Sequence, residues 1–311
     1  MRIRASIVAA ALLASSPTAL AGDDPWVIGK GDVAVYAGLG GTSWSSFSDG
    51  NGSLSGSDSA IANRVVTTLA QGAAEYGVIP RGSLEARAAG GFSQVTDAQS
   101  KSCGGTACQT QIGATPIDVR FRYRLLNEVM GAPVSVTVGP VLRVGAHTRA
   151  ARDQLTSMGD GQNDVGVHAS VGRMGFVGPM LVAAYGAVRY SHRVLTDAVD
   201  DVDVPRHELA GLGELSVQTG PRLSLGLAVD ALHRPDGVDW GDSVASSEAR
   251  FAALSITTVK AGAKVGVLLR PGLRLHASVV GTAYARNNPN DAWSAGLGLG
   301  WYRAAPQDLS P

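Results

Sequence analysis

Arg120, Arg122 and Arg124 stand at alternate positions in the run Ile117-Asp118-Val119-Arg120-Phe121-Arg122-Tyr123-Arg124-Leu125. Alternate positions of an extended strand share one face, so three guanidiniums and Asp118 line up on one side and the apolar groups on the other. A helix would scatter the arginines around its circumference. Guanidiniums gathered on a face recognise carboxylates and phosphates through paired N–H donors, or form ion pairs with acids on neighbouring strands. The same alternation puts Arg87, Arg143, Arg189, Lys260, Lys264 and Arg274 on polar strand faces, together with Glu75, Glu85, Glu214 and Asp230. Two chemistries are open to such a set. One is a charged constriction with a modest preference for anions. The other is an ion-paired filling that stiffens the interior of a closed sheet.

Catalytic chemistry finds less support. A hydrolase needs a serine or similar nucleophile, a histidine within reach and a group to orient it. His147, His168, His192, His207, His233 and His276 are scattered over strand ends and loops, and none stands beside a serine in a recognisable motif. No enzyme and no cofactor is therefore expected. His147, His192 and His207 would share one rim, and Asp197, Asp200, Asp201 and Asp203 form an acidic loop. Solvated side chains explain both groups better than a metal ion does. Cys103 and Cys108 lie in a small polar loop, close enough for a disulfide in an oxidising compartment.

The elements that must carry these side chains are strands. Val33, Val35, Ala37 and Leu39 share a face in the first strand. Leu84, Ala86 and Ala88 oppose Glu85 and Arg87 in the third. Val259, Ala261, Ala263 and Val265 oppose Lys260 and Lys264 further on. Pro140 cannot donate a ladder hydrogen bond, so the strand through it should bulge or fray there. The whole chain of 311 residues resolves into about twelve such strands. Their connections alternate between long polar loops (45–59, 97–110, 148–163, 197–205 and 233–249) and short turns rich in Pro and Gly. Sorting of loop length by parity is the mark of outer-membrane barrels, with short turns in the periplasm and long loops outside. A soluble sandwich has no reason to sort them. The expected fold is thus all-β, a closed antiparallel transmembrane β-barrel with an apolar outer surface and a polar lumen. Trp293 and Trp301 at the two ends of the last strand fit interfacial positions.

Bulk properties agree. Charged residues make up 17% of the chain and the formal net charge is zero. That is below the ordinary content of about 25%, and it offers no basic field for nucleic acid. Arg2 and Arg4, an apolar stretch from Ile7 to Leu13, and Ala19-Leu20-Ala21 read as a secretory signal cleaved before Gly22. The expected organisation is a signal peptide over 1–21, a periplasmic N-terminal lead over 22–31, the barrel over 32–302 and a tail over 303–311.

At Ala74-Glu75-Tyr76-Gly77 and Arg122-Tyr123-Arg124-Leu125-Leu126, with regular hairpins between and after them, the chain resembles the outer-membrane transporter family named for the meta-pathway of phenol degradation. The likeness runs over nearly the whole mature chain. It implies a barrel of about this size in the bacterial outer membrane, taking up small and often hydrophobic compounds, and it assigns no binding residue. The partners expected are outer-membrane lipid, a small-molecule solute and the outer-membrane assembly machinery. A structural or adhesive barrel with functional loops is the alternative.

Overall fold

The computed structural model describes residues 24–45, 47–48, 65–95, 110–145, 163–194, 206–235, 237, 255–289 and 291–305. The signal segment, Cys103 and Cys108, His147 and the acidic loop 197–205 lie outside them. The described residues contain no α-helix. Twelve antiparallel strands make up the wall: β1 (Val33–Trp44), β2 (Val65–Ile79), β3 (Gly82–Val95), β4 (Ile117–Leu126), β5 (Ser135–Val144), β6 (Asn163–Val177), β7 (Met180–Val194), β8 (His207–Gln218), β9 (Leu223–Arg234), β10 (Ile256–Arg270), β11 (Leu273–Arg286) and β12 (Trp293–Arg303). Each strand pairs with the next in sequence, and β1 pairs with both β2 and β12. The twelve strands therefore form a closed ring, the form in which a sheet can sit in lipid. This is the architecture of an outer-membrane β-barrel.

Sequence chemistry explains the wall's details. The ladder between β3 and β4 continues backwards through a short strand, Thr110–Ala114, after a break at Thr115-Pro116. Pro116 has no N–H to give, and Thr115 fills the gap. Its backbone N–H donates to the Ala89 carbonyl, and its Oγ1 accepts from the Ala89 N–H. Opposite Pro140 the β4–β5 register passes from Arg120↔Val141 directly to Tyr123↔Val138, so the two pairs between are missing. The loss is the one expected of a proline inside a ladder.

The five short connections lie at one end of the barrel, with the start of β1 and the end of β12 beside them, as Val33↔Arg303 and Val33↔Tyr76 pair. Gly272 makes the turn after Pro271 with φ of 78°, a conformation that suits glycine. Asp32 ties this end together. Its carboxylate accepts from the Gly29 N–H, the Ala305 N–H and the Tyr302 hydroxyl.

Large apolar side chains cover the outside, among them Leu39, Leu227, Val279 and Leu297, all more than half exposed. Tyr284 and Trp293 ring one end of this surface, and Tyr76, Phe176 and Trp301 ring the other. Trp293 and Trp301 are eight residues apart. At about 3.3 Å per residue and a tilt of about 40°, that spans about 20 Å along the membrane normal, close to the apolar band of about 25 Å in such barrels.

Candidate functional site: the lumen

Most strands send their charged residues inward. Of the residues expected there, Glu75, Glu85, Arg87, Arg120, Arg122, Glu214, Lys264 and Arg274 are buried. Asp118, Arg124, Arg143, Arg189, Asp230 and Lys260 are half-buried on the same inner face. Alternation thus placed all fourteen on one side, but it said nothing of what each one touches.

At the short-turn end the lumen is occupied by the chain's own N-terminal segment. Asp24, Pro25, Trp26, Val27 and Ile28 are buried inside the ring, each at 5% exposure or less. Four strands hold them. The fully buried Arg122 on β4 donates to the Asp24 carbonyl and to Asp24 Oδ1 at 3.2 Å. Thr137 on β5 donates to the Pro25 carbonyl at 2.8 Å, and Ser170 on β6 to the Asp24 carbonyl at 3.3 Å. The Trp26 indole stacks edge-on against Tyr185 on β7, with centroids 5.8 Å apart, and donates to Glu128 Oε1 at 2.8 Å. Ala183, Met174 and Leu212 complete an apolar cluster around it. Burial pushes the Asp24 carboxyl above its ordinary range, against the pull of Arg122.

Arg122 also donates to Glu75 at 2.7 Å, and Glu75 accepts from the Ser83 hydroxyl. Glu85 pairs with Arg87, and Lys264 with Glu214 at 2.9 Å, which Tyr185 joins through its hydroxyl. Arg124 reaches the carbonyls of Val27 and Pro80. Across the lumen, Tyr36 lies over Gly38 and Gly298, where a side chain would collide with its ring. Its partner in an edge-on contact is His276, at 6.5 Å.

A second web lies toward the opposite end. Arg143 reaches Asp118 at 2.9 Å, Asp164 at 3.2 Å and Glu208 at 3.3 Å. Arg189 reaches Glu208 at 2.7 Å and Asp118 at 3.4 Å, and Arg234 reaches Glu208 at 2.8 Å. Glu208 is the hub, and it was not among the residues singled out from the sequence. The signal was present, because Glu208 alternates with Leu209 as Glu214 does with Leu215. Asp164, Arg234 and Arg193 were overlooked for the same reason, standing near strand ends where alternation is short.

Between the two webs is a cavity of about 380 Å³. Arg87, Arg120, Arg189 and Lys260 line it with Asp118 and Asp230. The histidines divide between the faces. His168 and His276 are buried on the inner face. His192 and His207 are cross-strand partners whose rings lie 5.2 Å apart, and Tyr190 Oη is 2.7 Å from His207 Nδ1. Tyr190 is exposed on the outer face, so this pair faces outward with it. Among the described residues no three His, Cys, Asp or Glu side chains converge as a metal site.

The chain matches no protein-family model and no curated protein sequence. Solved structures do match it. An outer membrane channel from Pseudomonas putida F1 superposes with a TM-score of 0.63 at 12% identity, covering 89% of this chain and 97% of the other. The NanC porin superposes with a TM-score of 0.49 at 7% identity, over 86% of this chain and 98% of the other. At such identities the likeness to the Pseudomonas protein is one of fold, and it agrees with the closed ring and the apolar outer face in making this chain an outer-membrane β-barrel.

Proposed function

We propose that the protein is a passive channel for small solutes, without catalytic turnover. The observation that carries this reading is the lumen. It is lined with charge along its length and encloses a cavity of about 380 Å³, while the outer face is apolar. A barrel of about eight strands is filled by its own side chains, whereas porins of about sixteen leave an open aqueous channel. Twelve strands with a chain segment folded into one end should give a narrow path. That the similar Pseudomonas protein is an outer membrane channel supports the same reading, and so does the sequence resemblance to the phenol meta-pathway transporters.

The web around Glu208 favours a second reading, a stiffened barrel whose loops do the work. Conductance separates the two. Purified protein in a planar bilayer should show small current steps, and deletion of residues 24–28 should enlarge them. A barrel that conducts nothing, with or without that segment, would end the channel reading in favour of the second. Release of fatty acids from added phospholipid would show a barrel enzyme instead.

A further inference from the structure

The cavity between the two ion-pair webs has a chemically mixed lining. Its charged part sets four cations, Arg87, Arg120, Arg189 and Lys260, against two carboxylates, Asp118 and Asp230. Next to these charges lie the small or aliphatic side chains of Ala187, Ala210, Leu212 and Leu232. Asp118 is shared by Arg143 and Arg189 rather than spent on a single partner. Arg189 uses both terminal nitrogens on Asp118 and Glu208, and its Nε–H has no hydrogen-bond acceptor among the described residues. Lys260 stands directly across the strand pair from Asp230.

We propose that this cavity is a binding site for a small organic carboxylate with a compact apolar body. It rests on the channel reading only for the route by which the solute arrives. The charge follows from the charged part of the lining. A guanidinium carries five N–H donors, so it can accept a second carboxylate without releasing the first. An anion that enters meets four cations and two carboxylates on the lining, with Glu85 and Glu208 behind Arg87 and Arg189, in surroundings less screened than bulk water. The apolar body follows from the aliphatic part of the lining. A ring or short alkyl group laid on Ala187, Ala210 and Leu212 removes apolar surface from water. Inorganic phosphate would leave that part unused. The volume sits at the small end of the range of about 300–1,000 Å³ for small-molecule pockets, which suits one ring rather than several.

The test is calorimetric titration of the purified, folded barrel in detergent at low salt, with sodium benzoate, benzyl alcohol and inorganic phosphate as probes. Low salt keeps the charge term visible. Benzoate should bind at one site per barrel, and the other two at least tenfold more weakly. Lys260→Gln should weaken benzoate about tenfold, the loss expected for one charge-assisted contact. Asp230→Asn should tighten it, because the competing carboxylate is gone. Opposite signs from two facing substitutions exclude a shared folding defect, and unboiled gel mobility checks each variant. Equal binding of benzyl alcohol, phosphate binding as tight as benzoate, or a Lys260→Gln variant indistinguishable from the parent would overturn the proposal. Binding that behaves as expected in a barrel that carries no current would keep the site and remove the channel. A conducting barrel that binds no benzoate would do the reverse.

Discussion

Loss of Arg122 should cost the barrel heavily. The residue is fully buried and bridges Glu75 on β2 to Asp24 of the N-terminal segment. Replacing it with methionine keeps the volume and removes the charge. Glu75 and Asp24 are then left buried without their counter-ion, a situation that costs about 3–5 kcal/mol when one partner of a buried pair is deleted. The buried Arg122 makes three contacts there, to Glu75, Asp24 Oδ1 and the Asp24 carbonyl, so we expect the upper part of that range. The triple variant Asp24→Asn, Glu75→Gln, Arg122→Met removes all three charges and should recover most of the loss, to within about 1–2 kcal/mol of the parent, since replacing a whole buried ion cluster is often close to neutral. Urea titration of the barrel in lipid, read by unboiled gel mobility, measures each. The pH dependence has a definite sign. In the single variant the Asp24 carboxyl, already held by burial above the ordinary aspartate value of about 3.8, rises further without Arg122. The folded state then holds more protons than the unfolded one from about that value up to the raised pKa, so the deficit shrinks as the pH falls through this window. A single variant within about 1 kcal/mol of the parent, or a triple variant no better than the single one, would refute the reasoning, because an unpaired buried charge must cost more than that.

Two further outcomes test the wall itself. Val279, 59% exposed near the middle of β11, faces lipid, so Val279→Arg should destabilise the barrel by about 2–4 kcal/mol, as arginine at the bilayer midplane does; a loss near zero in a lipid-based unfolding assay would place that face in water. Gly298→Ala puts a methyl group into the Tyr36 ring and should cost about 1–3 kcal/mol, the usual toll of overpacking, and the cost should vanish in a Tyr36→Ala background if the ring is its cause.

Strand identity and face were legible in the sequence because both depend on neighbours two residues apart. Glu85 and Arg87 alternate with Leu84 and Ala86, and no long-range information is needed to put them inside. Partnership is another matter. Arg122 meets Asp24 across 98 residues of chain, and Arg143 meets Glu208 across 65. Those separations are set by strand tilt and register around the closed ring, which local alternation does not encode. The open choice between a charged constriction and an ion-paired filling was open for this reason: it turns on which side chains meet, not on which face they share.

Alternation is also silent about a segment that is not a strand. Residues 22–31 precede β1 without any period of two, and a hydrophilic lead and an inward-folded one look alike to that test. Composition carried the missing signal. A lead bathed in water has no use for Trp26, Val27 and Ile28 in succession, whereas a segment packed on Tyr185 and Ala183 does. Its polar atoms obey the same logic. Asp24 finds partners on β4 and β6, the Pro25 carbonyl on β5 and the Trp26 indole on the turn carrying Glu128, so the segment's fit depends on the register of all of them. The arginine strand therefore does two jobs with one alternation. Arg122 and Arg124 hold the N-terminal segment, and Arg120, a few ångströms along the same face, lines the cavity that the segment leaves open.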